Sequence, residues 1–222
     1  MTRAENYFAW QARLVLPALG RCVVEVGCGI GNFTGALLDR DLVISLDTEP
    51  ECIARLQARY PDRPNLHAFV CEPGTAEFAG LARFAPDSCV CLNVLEHIAD
   101  DAAALRAMAS IVVPGGAIVL LVPAFPALFG PIDRNLGHHR RYRRKTLAAL
   151  AHAADLRIEK LHYVNAVGCV GWWINAHVLR REAQSKRQIA MFDRCVVPWL
   201  SRLETLSPPP FGQSLFAVLR KP

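Results

Sequence analysis

The chain has little methionine, tyrosine or tryptophan: three, four and four residues in 222. It has no uninterrupted apolar run that would span a bilayer comfortably. Its most hydrophobic late stretch, "VGCVGWWINAHVLRR", is broken by Asn175 and His177. It has no CxxC pair, so its eight cysteines describe neither a zinc knuckle nor a disulfide framework. Thiols in apolar contexts, such as Cys22, Cys89, Cys91 and Cys169, instead predict half-buried free cysteines in a reducing cytoplasm. No basic-then-apolar leader opens the sequence, so no secretory signal is expected. Repeats and low-complexity tracts are absent, and the one proline-rich spot is Ser207 to Pro210.

What is present is a globular composition, 52% hydrophobic and 20% charged. A chain of this length reads as one domain over residues 1–222, with roughly 70–75% of its unfolded surface buried. Charge is uneven. Residues 1–122 hold 9 Lys+Arg against 14 Asp+Glu, whereas residues 123–222 hold 16 against 6. The two parts therefore face different partners: either an anionic ligand meets the back half, or that half is a solvated basic surface.

Residues 1–20 carry Tyr7, Phe8, Trp10, Leu14 and Leu16 and predict a helix ending near Pro17. "RCVVEVG" is a β-branched run and predicts a buried strand. "NFTGALLDR" reads as helix, "DLVISLD" as strand and "EPECIARLQARY" as helix with proline in its first turn. "NLHAFVCE" and "DSCVCLNV" predict the third and fourth strands. "DDAAALRAMASIV" is an amphipathic helix stopped by Pro114-Gly115-Gly116. "AIVLLVPA" is apolar throughout and predicts a central strand. Further on, "KTLAALAHAAD" reads as helix, "LRIEKLHYV" as strand, and "VGCVGWWINAHVLRR" and "IAMFDRCVVPWLSRLETL" as helices. "QSLFAVLRK" closes the pattern as a strand. Such alternation implies a mostly parallel α/β sheet covered on both faces, with ligands at the carboxyl ends of its strands.

At the first of those ends stands "VVEVGCGIGNFT". Glycines there let backbone approach a ligand and adopt positive φ. GxGxxG is not satisfied, because Asn32 occupies the third glycine's place. A carboxylate just before the turn also suits a ligand with a cationic end better than a pyrophosphate. Asp47, ending the second strand twenty residues after Gly27, suits a pair of ribose hydroxyls. Together "VVEVGCGIGNFT", "ISLD", "LNVLEHI" and "VPGGAIVLLVP" resemble, in order and spacing over residues 21–124, the motifs of class I S-adenosylmethionine-dependent methyltransferases. That resemblance implies a Rossmann-like, doubly wound seven-stranded sheet with an antiparallel last strand, a role "QSLFAVLRK" can fill. It implies S-adenosylmethionine as cofactor and S-adenosylhomocysteine as product. It also implies a division into an N-terminal helix or lid (1–20), a cofactor-binding core (21–124) and a substrate-side elaboration (125–222).

Carried over residue by residue, the cofactor loop is Glu25, Gly27, Cys28, Gly29 and Gly31. Asp47 and Thr48 follow the second strand, and Asn93 and Val94 run past the methionine moiety. The sequence departs from many relatives after the third strand, where Glu72 stands in "VCEPGTAEF" in place of an adenine-binding aspartate. His97 in "LEH" is expected to serve structure or the cofactor side rather than proton abstraction. Tyr7 in "ENYFAW" is either core or part of an aromatic lid.

"GPIDRNLGHHRRYRRKT", residues 130–146, follows the fifth strand and is expected over the methyl donor. His139, with neighbour His138, is the candidate base. Arg140 and Arg141 are candidate anion grips, Tyr142 a stacking or phenolic contact, and Trp172 a pocket wall. No metal is expected, since adjacent histidines in extended chain point to opposite faces. The later apolar segment, flanked by Arg180 and Arg181, reads as pocket wall, dimer contact or interfacial membrane helix. The partner expected is a small-molecule acceptor, anionic and hydrophobic, lipid-linked or a secondary metabolite. Peripheral contact with the inner membrane face and a monomer or homodimer fit that expectation. No RNA-binding module is visible. An RNA methyltransferase and a non-catalytic cofactor-binding protein are the alternatives.

Overall fold

The computed structural model describes residues 4–179 and 185–222. The strands are β1 (Cys22–Val26), β2 (Leu42–Asp47), β3 (Leu66–Val70), β4 (Ser88–Leu92), β5 (Ala117–Pro123), β6 (Arg157–Val164) and β7 (Ser214–Arg220). The α-helices are α1 (Glu5–Val15), α2 (Pro50–Arg59), α3 (Ala76–Ala79), α4 (Asp101–Ile111) and α5 (Pro131–Asn135). They continue with α6 (Arg144–Ala153), α7 (Ala166–Trp173), α8 (Lys186–Cys195) and α9 (Val197–Leu206). A π-helical stretch, Ile174–Val178, extends α7. Arg180 and Arg181, expected to flank that segment, lie outside the described residues.

All seven strands form one sheet in the order β3-β2-β1-β4-β5-β7-β6. The pairs from β3 to β5 are parallel, and β7 runs antiparallel to both β5 and β6. β5 is buried at every residue, as its unbroken hydrophobicity predicts. β3 and β6 form the edges and are the most exposed strands. On β6, Glu159 turns outward to accept a hydrogen bond from Arg220 Nε at 2.5 Å. Apolar side chains of α1 and α9 (Trp10, Val15, Val197, Leu200) cover one sheet face. Leu105, Met108, Leu147 and Ala151 of α4 and α6 cover the other.

One predicted helix does not form. "NFTGALLDR" makes a single 3-10 turn, Thr34–Leu37. Thr34 is fully buried and its hydroxyl donates to Glu25 Oε2 at 2.6 Å, while Gly35 weakens helix propensity in mid-segment. The tertiary bond wins over the local pattern. The N-terminal helix is also shorter than the 1–20 expected, passing after Val15 into a 3-10 turn that carries Pro17.

Candidate active site

Strand order reverses at β1, with β2 on one side and β4 on the other, so a crevice opens at their carboxyl ends. The turn after β1 is shaped by two glycines with different jobs. At Gly27 (φ +74°) an added Cβ would stand 2.2 Å from Val94 Cγ2, so this glycine permits close approach of the β1 and β4 loops. At Gly29 (φ +52°) an added Cβ would meet nothing within 4 Å. The space above Gly29 belongs to no protein atom.

Asp47 ends β2 beside this turn. Its Oδ2 accepts from the Gly29 amide at 2.7 Å and its Oδ1 from the Glu49 amide at 3.0 Å. Each carboxylate oxygen keeps a lone pair for a further donor. Thr48 and Glu72 are exposed, and Cys71 N donates to Asp47 O at 3.0 Å, which brings the end of β3 to the same edge. Glu25 lies beneath the turn, 4% exposed, with Oε2 accepting from both Thr34 and Ser45 (2.7 Å). Burial raises its pKa, opposed by those two hydrogen bonds. Its geometry supports the turn from below. Cys28 is buried, and burial with nearby Glu25 and Asp47 pushes its thiol pKa far up, which keeps it a neutral thiol.

The ends of the next strands are strained. Asn93 after β4 (φ 55°) and Phe125 after β5 (φ 58°) hold left-handed backbone without being glycine. Asn93 N donates to Leu121 O at 2.7 Å. Phe125 N donates to Tyr142 O, and Tyr142 N to Pro123 O, both at 2.8 Å. These bonds clamp the 138–142 stretch against the end of β5. His139 N adds a bond to Glu96 O, also 2.8 Å. The basic stretch thus lies on the carboxyl edge.

Its side chains are distributed differently from the expectation. His139 is exposed and lines a cavity of about 340 Å³ with Pro126, Phe129, Arg140 and Arg141. His138 turns inward, where its Nδ1 meets Asp133 Oδ1 at 2.9 Å. Arg140 is tied to Asp101 Oδ2 (2.8 Å) and Ala99 O (2.6 Å). Arg141 is buried: its Nε donates to Asp133 at 2.7 Å, its Nη1 to Ala124 O at 3.2 Å, and its guanidinium covers the Trp172 ring at 4.5 Å. Tyr142 is 3% exposed and donates to Asp101 at 2.8 Å. Arg141 and Tyr142 are therefore struts, whose charge and hydroxyl are already satisfied inside the protein. Arg143, Arg144 and Lys145 remain exposed.

Trp172 packs with Leu128 and Ile132 behind the cavity, while Trp173 is half exposed. Tyr7 is half-buried on α1. It packs edge-on to Trp10, burial raises its pKa, and Gln11 and Ser214 hydrogen-bond its hydroxyl. Asp193 of α8 anchors this helix start, accepting from the Asn6 and Tyr7 amides at 3.2 and 2.8 Å.

Sequence reading missed Glu96, Asp133 and Asp101 as partners of the histidine–arginine stretch. Glu96 is 1% exposed on the turn after β4, and burial pushes its pKa up to about 8. "LEH" marks the place, but nothing in the spacing joins it to residue 138. His97, on the same turn, has its pKa lowered by burial and by His138, whose ring stands edge-on at 4.7 Å.

This sheet order, glycine turn and β2 acid together define the class I S-adenosylmethionine-dependent methyltransferase fold. A family model for a methyltransferase domain matches residues 2–161, and the chain belongs to that family. Among curated proteins, it is 32% identical over 117 residues to an uncharacterised methyltransferase of Mycobacterium tuberculosis, covering 51% of this chain and 56% of that one. It is 29% identical over 125 residues to a ubiquinone biosynthesis O-methyltransferase of Paracidovorax citrulli, covering 54% and 47%. The chain spans about half the length of the curated relatives it matches. Among solved structures it superposes on the N-methyltransferase NodS of Bradyrhizobium japonicum, determined with S-adenosylhomocysteine. The TM-score is 0.61 at 17% identity, covering 100% of this chain and 89% of that one.

Proposed function

We propose that the protein transfers a methyl group from S-adenosylmethionine to a small-molecule acceptor held under residues 125–142. The observation that carries this reading is the unfilled space at Gly29 beside the Asp47 carboxylate. It is a cradle of bare backbone with an acid at its rim, and it fits an adenosine-bearing ligand. Gly29, Asp47, Thr48 and Glu72 would hold the nucleoside side, with Asn93 and Val94 along the methionine side. Glu25 acts through the turn. When bound, the cofactor supplies an activated methyl on a sulfonium leaving group. What remains for the chain is alignment, exclusion of water and, for an O–H or N–H acceptor, removal of a proton.

The cavity is lined by apolar Pro126 and Phe129 together with His139, Arg140 and Arg141. That favours a compact, partly hydrophobic acceptor over a nucleic acid duplex. An apolar stripe of Trp199, Leu203 and Leu206 on one face of α9, 65–84% exposed, supports delivery of that acceptor from a lipid surface. No helix among the described residues is long and apolar enough to cross a membrane.

The test is transfer of labelled methyl groups to metabolite and lipid extracts, with total RNA in parallel. Incorporation into a small molecule is expected, and sedimentation with anionic vesicles that falls in Trp199→Ser. Label appearing only in RNA would replace this reading with the nucleic-acid one. Tight S-adenosylmethionine binding without any transfer would leave a cofactor-binding protein.

A further inference from the structure

Glu96 poses a problem that methyl transfer does not solve. Its side chain is buried, and neither carboxylate oxygen meets a hydrogen-bond partner among the described residues. An unpartnered carboxylate inside a protein is costly and calls for a cation or a proton. Two imidazoles face it. His138 Nε2 stands 4.0 Å from Glu96 Oε1, and His97 packs edge-on against His138. One donor atom from each of Glu96, His97 and His138 falls within 4.8 Å of the others.

The second layer is built as metal sites build theirs. Asp133 Oδ1 takes the Nδ1 of His138, which leaves Nε2 facing Glu96. Asp133 is itself completely buried and fixed by Arg141 Nε and by the Gly130 amide at 3.0 Å. It orients the ligand and is not itself part of the donor set.

We propose that Glu96, His97 and His138 form a binding site for a divalent first-row transition metal such as Zn²⁺, Mn²⁺ or Co²⁺. Two imidazoles and one carboxylate suit these ions better than Mg²⁺ or Ca²⁺, which prefer all-oxygen shells. Bonds of about 2.0–2.2 Å require the three side chains to draw together by an ångström or so, and His97 is the exposed member of the three. Three protein ligands leave coordination positions open, and an oxygen donor of the acceptor is the ligand class they would take. The proposal departs from the sequence expectation of no metal. His138 pairs with residues some forty positions earlier, not with its neighbour His139.

The metal reading is independent of the acceptor assignment, because binding is measured without turnover. Untagged, chelator-stripped protein is titrated with Co²⁺ alone while visible d–d absorption is followed, and with Zn²⁺ by calorimetry. One equivalent per chain is expected, with a raised Tm. Glu96→Gln and His138→Asn should each weaken Co²⁺ binding at least about 100-fold, whereas His139→Ala should leave it intact. Asp133→Asn is the positioning control and should weaken binding about 10–100-fold while keeping the one-to-one stoichiometry. Variants are compared only where their far-ultraviolet dichroism matches the parent. S-adenosylmethionine affinity of the stripped protein reports on the cofactor site separately. Less than a tenth of an equivalent bound by the parent would overturn the proposal. Binding that survives in both Glu96→Gln and His138→Asn, or is lost in His139→Ala instead, would overturn it as well.

Discussion

The two halves of the carboxyl edge are built on opposite principles. The β1–β2 half is open: bare backbone at Gly29, exposed Thr48 and Glu72, and an Asp47 carboxylate with room for another donor. The half behind His139 is closed: Arg141, Tyr142 and Asp133 are buried and are satisfied by one another, by Asp101 or by nearby carbonyls. A stretch that looks like an exposed anion grip in one dimension is, in three, a set of rods fixing the position of His138 and the floor of the cavity. Openness belongs where a ligand is gripped through main chain, and closure where side chains must be aimed.

Filling the open half should have the largest effect. Gly29→Val occupies the unclaimed space and should abolish S-adenosylmethionine binding in calorimetry. Its positive φ should cost the fold only about 1–2 kcal/mol. Parent-like binding by this variant would remove the cofactor from the glycine turn.

The closed half should instead fail by unfolding. Arg141→Ala leaves Asp133 buried without its guanidinium partner, and should destabilise by about 3–5 kcal/mol in urea denaturation. If stability is unchanged but an acceptor's KM rises, Arg141 is a ligand grip after all and the contrast between the halves collapses.

Asp47→Ala should act on the open half in the graded way of a lost charge-assisted contact. A loss of about 1.5–3 kcal/mol in cofactor affinity is expected, with thermal unfolding nearly unmoved. The smallest effect lies under the turn. Burial raises the pKa of Glu25 in the folded state above its unfolded value. Its stabilising contribution is therefore complete below the unfolded pKa and is lost as pH rises through the folded one. Without cofactor, unfolding free energy should fall with pH more steeply in the parent than in Glu25→Gln. The difference in slope is at most about 1.4 kcal/mol per pH unit, the limit for one proton. Parallel curves would mean that Glu25 is ionised throughout.

Much of this was legible in one dimension. β-branched runs and the unbroken "AIVLLVP" located the strands, since burial on both sheet faces demands apolar residues at every position. Gly27, Gly29, Asp47 and the turn before β5 could be placed because backbone geometry leaves a residue-type signature at the position that needs it. The segment after Gly31 has a helical pattern but forms a 3-10 turn, because Thr34 bonds to Glu25, a residue its local pattern does not reveal.

Sequence alone determined the succession of the seven strands, the glycine turn and the acid at its rim, each being a property of one short segment. Tertiary structure decided that His138 faces inward and His139 outward, and that Asp133 holds both His138 and Arg141. It also decided that Glu96, without a hydrogen-bond partner among the described residues, lies beside two imidazoles. Those are relations between a turn after β4 and a loop after β5. Forty residues of chain separate them, and only the parallel pairing of the two strands brings their ends side by side.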